Sequence, residues 1–131
     1  MYAWIAVAIG GALGSVARHG VNRIVHQEWP LLPFPLATII VNIVGCCVIG
    51  MLAGLVGTGR LPMRANWREF ICVGILGGFT TFSTFGLDTI TLVRSGDSSQ
   101  ALLNILLHVV CGLAAVHFGL VAVERFGVIV R

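Results

Sequence analysis

The run Gly77-Gly78-Phe79-Thr80-Thr81-Phe82-Ser83-Thr84-Phe85-Gly86 lies inside a segment apolar enough to span a membrane, yet it is built from residues that interrupt helices. Two adjacent glycines each cost a helix interior about 1 kcal/mol, and the Thr and Ser hydroxyls behind them offer the backbone competing hydrogen bonds. A continuous span is therefore not expected here. Non-helical backbone at membrane depth survives only where protein covers it or water reaches it, so the run predicts a site rather than a plain lipid-facing helix.

The rest of the chain supports a membrane reading. Of 131 residues, 57% are hydrophobic and 10% charged, far from the roughly one-quarter charged composition of soluble domains. The expectation is an all-α membrane protein of one integral domain, with spans at about 2–24, 34–56, 69–93 and 101–123 and the third broken near mid-membrane. Spans of that length consume most of the chain and leave no room for a soluble catalytic domain, so an enzyme is not expected. The net charge of +3 comes from arginine without any lysine, scattered over short loops, which gives nucleic acid nothing to bind. The start, Met-Tyr-Ala-Trp, lacks the basic region of a signal peptide, so the first span is expected to remain. Cys46, Cys47, Cys72 and Cys111 sit in apolar segments without metal-ligand spacing and read as small buried hydrophobes.

Polar residues within the spans carry the functional signal. In the first span Gly11, Gly14, Arg18 and Asn22 share one helical face, and Gly10 and Gly14 form a GxxxG that lets backbones approach. Arg18 either reaches the interface, pairs structurally or attracts an anion. Asn42 lies at the middle of the second span, where its amide either bonds another helix or faces a pore. A discontinuous third span would expose carbonyls to cations and amides to anions. Phe82 and Phe85 fall on one face if that region is helical. Asp88 lies toward the same side of the membrane as Arg18, so pairing between them is allowed. On the fourth span Asn104, His108, Cys111 and Ala115 make a polar and small stripe, and His108 either bonds a neighbouring helix or lines a pore, in which case conductance would depend on pH. His117 is on the opposite face.

Arg60, Arg64, Arg68, Arg125 and Arg131 fall on the side of the termini, against Arg23 and Arg94 on the other. This places the termini in the cytoplasm and the protein in the cell (inner) membrane.

Taken together, GGALGSVAR in the first span, the run from Pro35 to Gly45 and GGFTTFSTF in the third closely resemble the Fluc (CrcB) family of fluoride channels, and the resemblance covers nearly the whole chain. It implies a fluoride-selective passive channel that exports cytoplasmic fluoride and lowers its toxicity. It also implies an antiparallel, dual-topology homodimer with a structural Na+ at its centre, held by the backbone carbonyls of Gly77 and Thr80. Phe82 and Phe85 would line the pore, Asn42 would donate its amide to fluoride, and Ser83 and Thr84 would add hydroxyls. Asn104 and His108 stand where relatives often carry aromatic or hydroxyl residues, Asp88 where they often carry Glu, and Gly86 where Ser is frequent. The arginine asymmetry also leaves room for a hetero-dimer with an oppositely biased relative.

Two other readings are set against this one. A proton-coupled exporter of the small multidrug transporter type needs a carboxylate deep in a span, usually the first, and the first span has none. A non-transporting assembly subunit would explain the glycine stripes but not the broken third span or Asn42.

Overall fold

The computed structural model describes residues 2–126, and its membrane-crossing parts are helical except at Thr80 and Thr81. Arg131, counted above in the charge asymmetry, lies outside the described residues. Helix α1 runs Tyr2–Glu28 and stops where Pro30 denies the helix a donor and restricts Trp29. Helix α2, Leu36–Gly57, starts directly behind Pro35. The third crossing consists of α3 (65–79) and α4 (Phe82–Arg94), and the fourth is α5 (98–126). Gly59 at φ 71° and Gly96 at φ 87° make the turns that end α2 and α4, a backbone region other residues rarely enter. Four helical stretches are long and apolar enough to cross a membrane: Tyr2–Glu28, Leu36–Gly57, Ala65–Arg94 and Ser98–Arg125.

Two stretches are wound more loosely than an α-helix. Glu69–Leu76 in α3 and Leu107–Cys111 in α5 are π-helical, with hydrogen bonds reaching five residues back. Both flank the polar centre of the molecule.

The helices pack as two close pairs. Helix α1 lies along α3, and α2 lies along the Gly112–Phe126 part of α5. In lipid, apolar side chains gain little by leaving one apolar medium for another, so close backbone approach through small residues supplies the contact. A Cβ at Gly14 would run into the Ile75 carbonyl and the Phe79 nitrogen, and one at Gly50 into the Val116 carbonyl. The GxxxG in α1 is thus a backbone seam against α3. Helix α2 is the most enclosed of the four, with Val41 fully buried and Ala37, Thr38 and Ile39 nearly so. It stands behind the Thr80–Thr81 junction and holds that junction in place.

Candidate functional site

Between α3 and α4 the chain leaves helical geometry for two residues. Thr80 has φ −83°, ψ 160°, and Thr81 has φ −153°, ψ 113°. Thr80 closes the end of α3, its N–H and its hydroxyl each donating to the Leu76 carbonyl at 2.9 Å. Its methyl sits over Gly45 of α2, where any side chain would collide with it.

Asn42 holds Thr81 from the opposite side. The Thr81 N–H donates to Asn42 Oδ1 at 2.8 Å, and Asn42 Nδ2 donates to the Thr81 carbonyl at 3.0 Å. A side-chain amide here pairs with a peptide group as one β-strand pairs with another. Two of the backbone groups exposed by the junction are satisfied in this way, which in a membrane interior is worth far more than in water. The interhelical reading of Asn42 therefore describes its geometry, and one Nδ2 hydrogen remains free of these two bonds.

Thr81 also caps α4. Its hydroxyl accepts from the Thr84 N–H at 3.3 Å and lies 2.9 Å from Thr84 Oγ1 and 3.2 Å from Ser83 Oγ. Replacing Thr81 with Val keeps the shape and removes the cap. We expect a loss of about 1 kcal/mol in unfolding free energy, read by steric trapping in lipid bicelles, with no loss if the hydroxyl does no capping.

The junction also determines which carbonyls are left over. Because the Thr81 N–H goes to Asn42, it does not serve Gly77 four residues back, as a continued helix would require. Thr80 precedes the cap of α4, so its carbonyl lies outside the hydrogen-bond ladder of that helix. The Gly77 and Thr80 carbonyls are thus left without the backbone donors that a continuous helix would supply.

Beside the junction opens a cavity of about 410 Å³, whose lining includes Asn42, Thr80, Thr81, Phe82, Phe85 and His108 together with Cys46 and Cys72. Three rings stand in sequence. Phe82 and Phe85 have centroids 5.3 Å apart at 54°, and Phe85 and His108 are 4.4 Å apart at 38°. Phe82 is 82% exposed, so this wall opens to the outside of the single chain.

Sequence reasoning placed Asn104 beside His108, and the structure separates their surroundings. Asn104 is completely buried, its Nδ2 donating to Thr89 Oγ1 at 2.9 Å, while Thr89 in turn donates to the Phe85 carbonyl at 2.7 Å. It braces α5 against α4 and supports the backbone under Phe85. Thr84 and Asp88 line a different cavity of about 210 Å³, together with Asn22, His26 and Thr38. The Asp88 carboxylate receives the Thr38 hydroxyl at 2.8 Å. Its hydrogen-bond partner among the described residues is thus Thr38 of α2 rather than Arg18, which is half-buried on α1. Thr38 was placed from sequence on the Asn42 face of the second span and Thr81 in the broken run, but neither was given a partner, and Thr89 was not singled out. Their partners, Asp88, Asn42 and Asn104, are visible only in the structure.

Comparison with known proteins agrees with this architecture. A family model described as CrcB-like protein, Camphor Resistance (CrcB), matches residues 5–120. A Paracoccus denitrificans protein named fluoride-specific ion channel FluC is 47% identical over 121 residues, covering 91% of this chain and 92% of that one. Proteins of the same name from Opitutus terrae and Methylobacillus flagellatus are 42% identical over 123 residues and 43% identical over 119, covering 93% and 91% of this chain and 92% of each relative. With the match running through all four membrane-crossing stretches at this identity, the chain belongs to the CrcB family of membrane proteins.

Proposed function

We propose that this protein is a passive, fluoride-selective channel of the cell membrane, a conduit rather than an enzyme, that lets cytoplasmic fluoride out and so lowers its toxicity. Family membership carries the class, and the cavity beside the junction carries the chemistry. Fluoride holds its water tightly, so a selective path must substitute many weak donors without a fixed cation that would trap the ion. Around the junction stand the spare Nδ2 hydrogen of Asn42, the hydroxyls of Ser83 and Thr84, and the rings of Phe82 and Phe85, whose edges are electropositive. Asn104 contributes from behind by fixing Thr89 under Phe85. His108 continues the row of rings. Asp88 and Arg18 shape the field at the mouth.

Assembly belongs to the same reading. Gly77, Phe82 and Ser83 are exposed on the flank of the single chain, in the middle of a crossing. Polar backbone there is costly against lipid, which supports an antiparallel, dual-topology dimer that buries this flank against a second copy, or against an oppositely biased relative. The carbonyls of Gly77 and Thr80 would hold a structural Na+ in that joint, where the ion would offset the carbonyl dipoles left over by the junction. Termini in the cytoplasm follow from the arginine bias for one of the two orientations.

The decisive experiment is efflux from proteoliposomes containing the purified protein, followed with a fluoride electrode beside an identical chloride gradient, with a potassium ionophore present. Fast fluoride loss without chloride loss is expected. Efflux of neither ion would overturn the reading, and efflux that requires a proton gradient would bring the coupled exporter forward.

A further inference from the structure

Among the described residues, two acceptors at the heart of the molecule have no donor. His108 Nδ1 lies 2.9 Å from the carbonyl oxygen of Asn104. A carbonyl only accepts, so Nδ1 must carry the hydrogen, and a neutral His108 is fixed in the tautomer whose Nε2 is a bare lone pair. That Nε2 is buried and has no hydrogen-bond partner. Asn104 has the same difficulty. The Thr89 hydroxyl gives its only hydrogen to the Phe85 carbonyl, so Asn104 must approach Thr89 with Nδ2, which fixes the amide and leaves Oδ1 buried and unpaired. A buried acceptor without a donor favours any species that brings a proton.

The imidazole that lacks this donor lies against Phe85 at a centroid distance of 4.4 Å, the rings tilted by 38°, and Phe85 leads to Phe82 at 5.3 Å. Protonation would put a hydrogen on Nε2 and a positive charge beside the tilted Phe85 ring, and an anion in the cavity that His108 lines would supply the acceptor this new N–H needs. The positive charge would also draw the electron density of Phe85 toward His108 and leave the ring edge more electropositive. Among the described residues, no Asp, Glu or Arg lines this cavity. The titratable groups turned to the same cavity are the thiols of Cys46 from α2 and Cys72 from α3, Cys111 lies on the same helix as His108, and Asp88 of α4 lines the other cavity with Thr38 as its partner.

We propose that His108 is a proton-binding site linked to anion occupancy of the neighbouring cavity: the protonated imidazole, acting through its contact with Phe85, favours an anion there, and the anion in turn favours the proton. This rests on the fluoride reading above and adds a specificity-determining residue to it. The linkage is reciprocal. An anion that prefers the imidazolium form must raise the proton affinity of His108, and below saturation anion occupancy, and efflux with it, is expected to rise toward acid pH.

The test uses full-length protein in lipid nanodiscs with 15N-labelled histidine. The ring nitrogen shifts of His108, assigned by their loss in His108→Gln, are titrated from pH 5 to 8 in NaF and in NaCl. Fluoride should move the midpoint to higher pH, a gain of about fivefold in proton affinity, the low end of common linkage between sites, and chloride should not. At pH above the midpoint the spectrum should show hydrogen on Nδ1. In parallel, efflux at low fluoride, corrected for leak from protein-free vesicles, should climb toward acid pH in the wild type and in His117→Gln, and lose that slope in His108→Gln. Identical midpoints in the two salts, or a slope that survives His108→Gln, overturns the inference. If His108→Gln does not fold, resonances assigned through the other three histidines decide by the midpoints alone. Fast but pH-independent fluoride efflux sinks this linkage and leaves the channel intact, whereas no fluoride efflux at any pH sinks both.

Discussion

Asn42→Asp is expected to lower fluoride efflux from proteoliposomes by about a hundredfold while leaving helical content unchanged by circular dichroism. The two side chains have nearly the same shape, so the effect comes from hydrogens and charge. Asparagine accepts from the Thr81 N–H and donates to the Thr81 carbonyl. Aspartate can only accept, so the carbonyl loses its donor and faces a carboxylate oxygen instead. Leaving the Thr81 carbonyl without its donor costs about 1–3 kcal/mol, and a negative charge at the cavity wall repels the anion besides. Wild-type flux in Asn42→Asp would remove Asn42 from both the junction and the path. Loss of helix together with flux would assign it to folding alone.

Gly14→Ala should have the largest effect on stability of any single-methyl change on α1. The added Cβ meets backbone on two sides, the Ile75 carbonyl and the Phe79 nitrogen, and neither can move by a rotamer change. Overpacking of this kind costs about 1–3 kcal/mol, and the upper end applies where backbone rather than side chain must shift. Gly11, three positions earlier on the same helix, has open space at its Cβ and serves as the control. Equal unfolding free energies for Gly14→Ala and Gly11→Ala, measured by steric trapping in bicelles, would show that α1 and α3 are not held at backbone contact.

Much of this was legible because a membrane simplifies the grammar. Apolar stretches of spanning length give the helices, and polar residues inside them stand out against a background that punishes every unsatisfied group. Asn42 and the Thr-Ser run could be picked out on those grounds alone, and Gly10 and Gly14 could be read as a packing face. What stayed hidden depends on geometry that periodicity does not encode. Asn104 and His108 are four apart and share a helical face by counting, yet a looser turn begins at Leu107, and one residue is enclosed while the other lines a cavity. Likewise the partner of Asp88 was sought among cations. The structure supplies a hydroxyl, because Thr38 on the enclosed helix α2 is what α4 packs beside. Charge complementarity is visible in a sequence, but a hydroxyl that finds a carboxylate is visible only in space.

The junction at Thr80–Thr81 has an electrical consequence as well. It joins the carbonyl end of one helix to the amide end of the next, each equivalent to about half an elementary charge and opposite in sign. At a distance the two ends cancel, and the crossing resembles an unbroken rod. Close to the junction they do not cancel, and an ion meets a strong field only over the last few ångströms. On the fluoride reading, such a short-ranged field would strip hydration locally without digging a broad well along the path, favouring rapid arrival and rapid departure over storage.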